Sequence, residues 1–311
     1  MTVTDVSAPA AGGPTSGRPR RDTGPTRTTG RITPWLFLAP ALGWLMVFSI
    51  WPSLNTVRMA FTNAKPLGGN EEYIGFENFS LILRDDQVVN ALVNSVVFML
   101  VCLPLLIALL VEKKIPGITF FRTAFYTPVI ASAVVVALIW TFMLDDRGLV
   151  NGLAQELSII QGPLPFLTDR WLIVLSAVSL TVWKGLGYYM IIYLAALGNV
   201  GKDLHEAAAM DGAGAVRRFF AVTLPAVRGA MLLIAVLVCV AALRVFSEVF
   251  IMTGGTGGAG GEAMTLVMLI QQYSRGFTGD LGYASALSIL MFFITLVPLL
   301  LLGKLNGKGS E

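Results

Sequence analysis

Three ionisable side chains stand inside otherwise apolar stretches of this chain. Lys184 lies near the middle of the segment 171–197, and Arg244 and Glu248 lie four residues apart in the segment 229–252, a spacing that puts two side chains on one face of a helix. At bilayer depth a charge costs about 2.5–3.5 kcal/mol on insertion scales, so all three must face protein or water rather than lipid. Two roles fit: an Arg244–Glu248 pair that fixes helix packing, or the lining of a polar path. Arg58, close to the end of the first apolar stretch, reads as a side chain that snorkels to the interface.

A different chemistry sits in the polar island EAAAMDGAGAVRRFFAVTLPAV, residues 206–227, between two strongly apolar segments. Asp203 followed three residues later by Glu206 has capping-box spacing, and Leu204 to Met210 are good helix formers. Gly212 supplies a residue that can take positive φ and end that helix. Val216, Phe219, Phe220 and Thr223 then recur at helical spacing with Arg217 and Arg218 on another face, and Pro225 is expected to stop the second helix. The pattern predicts a helix–turn–helix with one apolar and one basic face. An element of that kind suits docking into a groove of a partner better than merely joining two spans.

The elements that position these residues follow from hydropathy. Of 311 residues, 55% are hydrophobic and 13% charged, the latter roughly half the share of an ordinary soluble domain. Apolar segments at about 34–61, 89–111, 122–144, 171–197, 229–252 and 282–303 each reach the roughly 20 residues that span a bilayer as a helix. Alternating strand patterns are absent, which argues against a barrel. Pro40, Pro52, Pro104, Pro128 and Pro298 fall inside these segments and are expected to kink them.

Lys and Arg resist translocation, so their distribution sets orientation. With the N-terminus inside, Arg18, Arg20, Arg21, Arg27, Arg31, Lys113, Lys114, Arg122, Lys202, Arg217, Arg218, Arg228, Lys304 and Lys308 face the cytoplasm. Only Lys65, Arg84, Arg147, Arg170 and Arg275 face the other side. Both termini and the polar island are therefore expected in the cytoplasm. Residues 1–31, rich in Pro, Gly, Thr, Ser and Arg, read as a disordered cytoplasmic tail without the apolar core of a signal peptide, and 304–311 as a short cytoplasmic tail. Cys102 and Cys239 both fall in spans, so no disulfide framework is implied.

Several chemistries are excluded. Gly201-Lys202, Gly303-Lys304 and Gly307-Lys308 are followed by Asp203, Leu305 and Gly309, so no phosphate-binding loop is present and any ATP must be held by another chain. The single histidine, His205, builds no metal cluster and no catalytic triad, and it reads as a bystander. The Gly-rich segment 254–261 comes after an apolar helix rather than a strand and is expected to be a flexible external loop.

The run Glu206, Ala207, Ala208, Asp211, Gly212, Ala213, Phe219, Val222, Leu224 and Pro225 resembles the EAA loop of membrane subunits of binding-protein-dependent ABC importers. YIGFENF at 73–79, RTAFYTPVIASAVVVALIW at 122–140 and WKGLGYYMIIYLAALGNV at 183–200 are similar to carbohydrate-uptake permeases of the maltose, trehalose and glycerol-phosphate type. The likeness covers roughly residues 32–303. Val200-Gly201 stands where that family often has Ile-Pro, Ser247 where Asp is common, and TGGTGGAGG lacks the usual final Pro.

The resemblance implies an all-α polytopic membrane protein, a six-helix permease domain over 32–303 of the type I, maltose-permease-like bundle, with a cytoplasmic coupling helix. It implies that Glu206, Ala207, Ala208, Asp211, Gly212, Ala213, Phe219, Leu224 and Pro225 sit in a cleft of a cytoplasmic ATPase. Arg217 and Arg218 are either contacts to that ATPase or topogenic charges. The chain would be non-catalytic and hold no cofactor, with ATP and Mg bound by the ATPase dimer. Its other partners would be a second homologous permease in a heterodimer, an extracytoplasmic solute-binding protein, membrane lipid and a sugar, with no nucleic acid. Trp140, Trp183, Tyr188, Tyr189 and Phe246 suit stacking on sugar rings, although Trp and Tyr serve equally as interface anchors. With Lys184, Arg244 and Glu248 they form the expected translocation path. Two other classes stand beside this reading. An ion-coupled secondary transporter needs coupling-ion sites and usually an internal repeat, and a membrane scaffold would keep the docking loop without moving solute.

Overall fold

The computed structural model of the chain describes residues 33–98 and 117–307. Two compact units are distinguished, 1–52 and 53–311. In the first, helix α1 (Thr33–Leu45) continues through Pro40 into a π-turn (Met46–Ile50) and the start of α2 (Trp51–Met59). Large apolar side chains from Trp35 to Trp51 are exposed, a surface that water would penalise and hydrocarbon would not.

The second unit carries α3 (Glu77–Ile82), α4 (Asp86–Val97), α5 (Ile118–Ile130), α6 (Ala133–Leu144), α7 (Leu149–Glu156) and α8 (Arg170–Gly198). It continues with α9 (Lys202–Met210), α10 (Ala215–Arg218), a second π-turn (Phe219–Thr223), α11 (Leu224–Ala226) and α12 (Arg228–Leu243). The last elements are α13 (Ser247–Met252), α14 (Leu266–Tyr273) and α15 (Leu281–Gly307). Among the described residues, Trp35–Met59, Arg170–Gly198, Arg228–Met252 and Leu281–Leu301 are long and apolar enough to cross a bilayer. The bent pair Ile118–Ile130 and Ala133–Glu156 would make a fifth span if counted as one.

The single helix expected over 122–144 is therefore corrected: the chain bends by 100° between α5 and the helical stretch Ala133–Glu156. Pro128 has no N–H and its ring presses on the carbonyl four residues earlier. Three residues on, Ala131 is extended at φ −72° and ψ 142°. Of the span expected over 89–111, α4 is the described beginning, while residues 99–111, with Pro104 and Cys102, lie outside the described residues, as do the tail 1–31, Lys113, Lys114 and residues 308–311. Both π-turns end two residues before a helical proline, Pro52 and Pro225, with the Trp51 N–H reaching the Met46 carbonyl and the Leu224 N–H the Phe219 carbonyl. The widened turn relieves the carbonyl that a proline ring would otherwise strike. Pro225 consequently does not stop its helix, which runs on to Ala226.

Small residues let these helices approach. A Cβ on Gly187 of α8 would collide with the Phe125 carbonyl oxygen of α5 and stand 2.6 Å from Tyr126 Cα, and one on Gly282 of α15 would meet the Thr62 carbonyl oxygen. Close backbone crossing of this kind is how helices gain packing where lipid removes the hydrophobic drive. Around these contacts, Ala137, Ile173, Val174, Ala177, Leu180, Val249 and Ala263 form one core, and Leu243, Leu266, Leu269, Ala286 and Leu287 a second. A third joins Met190, Tyr193 and Leu197 of α8 to Ile234 and Val238 of α12. Several hydroxyls inside the helices bond back to the fourth preceding carbonyl, as Thr141 does to Ala137 at 2.9 Å and Thr181 to Ala177 at 2.8 Å, which satisfies these groups without water.

Arg58 does not snorkel freely. Its guanidinium meets Glu71 at 3.2 Å and bonds Asn55 Oδ1 at 3.2 Å.

Candidate functional site

Two sites emerge, one in the polar island and one among the apolar helices. In the island, α9 begins at Lys202 after Gly201, which is extended and caps with no side chain. The capping box expected from Asp203 and Glu206 is not formed. The chain leaves α8 through Asn199 and is extended at Gly201, so Asp203 falls inside the first turn of α9, where its carboxylate complements the helix dipole instead.

At the other end the backbone closes in a Schellman motif. Gly212 takes φ +75°, its N–H donates to the Ala209 carbonyl at 3.0 Å, and the Ala213 N–H donates to the Ala208 carbonyl at 3.0 Å. Ala207, Ala208, Asp211 and Ala213 thus build the turn itself. The second helix starts at Ala215, after the extended Gly214, and passes through the π-turn. The single apolar face expected from Val216, Phe219, Phe220 and Thr223 is split. Val216 and Phe220 are exposed, whereas Phe219 is half-buried and Thr223 buried, because the π-turn Phe219–Thr223 changes the angular spacing that an unbroken α-helix would give these four positions.

The island therefore presents Leu204, Met210, Val216 and Phe220 at 57%, 89%, 72% and 60% exposure. Glu206 and Arg217 are exposed beside them, Leu224 is half-buried and Pro225 exposed. Arg218 is half-buried, and its Nε is shielded from solvent without a hydrogen-bond partner among the described residues. A buried unpaired donor is costly, so this guanidinium is left to be satisfied from elsewhere.

The second site is a cavity of about 220 Å³ lined by Val129, Thr181, Lys184, Gly185, Tyr188, Tyr189 and Glu248. Helix α8 brings Lys184, Gly185, Tyr188 and Tyr189 to it by i, i+1, i+4, i+5 spacing, and α13 brings Glu248 in its first turn. Tyr188 and Tyr189 meet edge to face at 5.3 Å. Four of the eight residues proposed for the path thus converge.

The other four do not join them. Trp140 and Trp183 pack together at 5.3 Å, with Trp140 Nε1 donating to Ser179 Oγ at 3.3 Å. Phe246 stacks on Phe250 at 4.8 Å against the first core. Arg244 is exposed at the end of α12. The Arg244–Glu248 pair is also corrected, because the helix stops between them: Phe246 sits at φ −140° and ψ −61°. The Val245 carbonyl accepts from Thr265 Oγ1 at 2.7 Å, and Thr265 is fully buried. A side-chain hydroxyl from α14's cap thus takes the place of the next helical N–H.

The Gly-rich segment is not loose. Gly254, Gly255, Gly257, Gly258, Gly260 and Gly261 all have positive φ, and the Ala263 N–H donates to the Gly257 carbonyl at 2.8 Å. A Cβ on Gly258 would stand 2.5 Å from Ile173 Cδ1. The clasp holding this segment had no obvious sequence signal: Asn94 is one of two asparagines, with Asn90, in an apolar run. Asn94 is fully buried, and its Nδ2 donates to the carbonyls of Glu262 at 2.7 Å and Met264 at 2.9 Å. Arg170 Nε and Nη2 donate to Asn94 Oδ1 at 3.3 and 3.2 Å, while its guanidinium lies 4.9 Å from the Trp171 ring centroid. Arg170, read from sequence as a topogenic charge, is a structural donor.

Apolar helices of spanning length, a Lys and a Glu that line one small cavity without forming an ion pair among the described residues, and an exposed helix–turn–helix are the features of a polytopic membrane protein. The family described as "Binding-protein-dependent transport system inner membrane component" matches residues 79–308, and the chain belongs to it. It is a family of non-catalytic membrane subunits, permeases rather than enzymes.

Among curated relatives, the chain is 31% identical to "Probable ABC transporter permease protein YurN" of Bacillus subtilis (strain 168), over 90% of this chain and 98% of that one. It is 30% identical to "Lactose transport system permease protein LacF" of Rhizobium radiobacter, over 86% and 91%. It is 28% identical to "sn-glycerol-3-phosphate transport system permease protein UgpA" of Escherichia coli O157:H7, also over 86% and 91%. A crystal structure of a bacterial ABC transporter involved in the import of the acidic polysaccharide alginate superimposes with a TM-score of 0.70 at 22% identity, covering 90% of this chain and 98% of that one; that likeness is one of fold.

Proposed function

We propose that this chain is the transmembrane permease subunit of an ATP-driven importer for a sugar or sugar-like solute. The observation that carries the reading is the set of exposed apolar side chains Leu204, Met210, Val216 and Phe220 on the two helices that the Gly212 turn joins, within the span of the family match. Exposed apolar side chains on a short helix pair suit helix-in-groove docking, and the groove belongs to a cytoplasmic ATPase dimer that binds ATP and Mg. The lactose and glycerol-phosphate relatives support the solute class.

In this reading residues 203–225 couple the ATPase to the bundle, with six spans, both termini cytoplasmic, and the chain placed in the inner (cytoplasmic) membrane. ATP binding closes the ATPase dimer, draws together the coupling loops of two homologous permeases, and rocks the bundles between inward- and outward-facing states; hydrolysis resets them. An extracytoplasmic binding protein delivers the solute to a path that includes Lys184, Tyr188, Tyr189 and Glu248. Arg218 finds the partner for its buried Nε on the ATPase.

Reconstitution in proteoliposomes tests this. Uptake that needs ATP and is abolished by an ATPase-dead partner is expected. Uptake by this chain alone on an ion gradient would establish a secondary carrier, and ATPase binding without flux would establish a scaffold; either result replaces the proposal.

A further inference from the structure

The cavity between α8 and α13 is lined by one cation and one anion that do not neutralise each other. Lys184 and Glu248 both face it, yet the ion pairs among the described residues are Arg58–Glu71 and Lys65–Asp280. Two charges within one small cavity, each costly to hold at membrane depth, would pair directly if their only purpose were structural. Kept apart, they offer a wall with a strong donor, a strong acceptor and, from Tyr188 and Tyr189, hydroxyls that do both.

That donor set matches a neutral polyhydroxylated ring, whose hydroxyls donate to Glu248 and accept from Lys184 while the face of a phenol ring covers a C–H face. It does not match an anionic solute. A carboxylate or phosphate seated at Lys184 would share the same open cavity with Glu248, and like charges held that close repel. At about 220 Å³ the cavity is smaller than the roughly 300–1,000 Å³ of a complete ligand pocket, so this chain supplies one wall of the seat. Resting on the importer reading, we infer that the group bound at this wall is an uncharged sugar ring, and that Lys184 and Glu248 together select against anionic solutes.

The test uses the complete complex in proteoliposomes with ATP. Neutral disaccharides (lactose, maltose, trehalose) are compared with sn-glycerol 3-phosphate and an alginate trisaccharide. Wild-type complex is expected to take up at least one neutral disaccharide about tenfold faster than either anion. Glu248→Gln leaves a net positive wall and is expected to reduce that preference several-fold by raising anion uptake relative to neutral uptake. Lys184→Gln lowers neutral uptake without admitting the anions. The charge-preserving Lys184→Arg and Glu248→Asp are expected to keep the wild-type preference, which separates selectivity from folding.

An anion carried faster than every neutral sugar overturns the inference and leaves the importer standing. So does an unchanged preference in Glu248→Gln. ATP-dependent uptake of none of the solutes, with the ATPase bound, overturns the importer reading and this inference with it.

Discussion

Replacing Gly212 isolates the backbone contribution to coupling. Its φ is +75° and no atom lies within 4 Å of the place a Cβ would occupy, so a side chain there is penalised by conformation alone. For an L-residue the left-handed region costs about 1–2 kcal/mol. The α9 and α10 helices are largely exposed, and the Schellman hydrogen bonds from Gly212 and Ala213 are the local ties that orient them. A penalty of that size shifts the population of the turn about 5- to 30-fold. Gly212→Val should therefore lower ATP-driven uptake by roughly that factor, while ATP hydrolysis by the isolated ATPase is unaffected. Gly212→Asn, whose side chain tolerates the left-handed region, should lose far less. The assay is solute uptake per ATP hydrolysed in proteoliposomes. Wild-type uptake by the Val variant, or equal losses in Val and Asn, would refute the reasoning.

Other substitutions probe the frame that holds the two sites. Gly187→Ala drives a Cβ into the Phe125–Tyr126 backbone and should destabilise the chain in detergent by about 1–3 kcal/mol, read as a lower thermal midpoint. Asn94→Leu removes the clasp on the Glu262 and Met264 carbonyls and leaves Arg170 without its acceptor; unpaired buried groups of this kind cost about 1–3 kcal/mol each, and faster protease cleavage within residues 254–264 is the readout. Thr265→Val frees the buried Val245 carbonyl and should weaken stability by a similar order, where Thr265→Ser should not. By contrast, the Arg58–Glu71 pair, with side-chain exposures of 61% and 32%, should contribute about 0–1 kcal/mol, so Glu71→Gln is expected to leave the thermal midpoint nearly unchanged.

Much of the frame was legible from residue type. Hydropathy runs of spanning length located α8, α12 with α13, and α15 to within a few residues, because an apolar helix of that length has few other places to be. The turn at Gly212 was legible because positive φ after a run of good helix formers is a local event, decided within a few residues. The split of the loop's apolar side chains was not, since the π-turn before Pro225 and the contacts that bury Thr223 come from packing. Likewise, the spacing of Arg244 and Glu248 was read on an unbroken helix, whereas the Thr265 hydroxyl, twenty residues away along the chain, supports a break between them.

What the sequence determined by itself was therefore one-dimensional: which segments are apolar enough to leave water, where a glycine must turn the chain, and that Lys184 and Glu248 need a polar place to point. Only the tertiary structure decided that those two charges share one cavity with Tyr188 and Tyr189, that Trp140 and Trp183 keep to each other, and that Asn94 ties the glycine turns in place. The physical reason is range. Hydropathy and φ preferences act on neighbours in the chain, while a cavity and a buried clasp depend on side chains that packing brings together from distant segments.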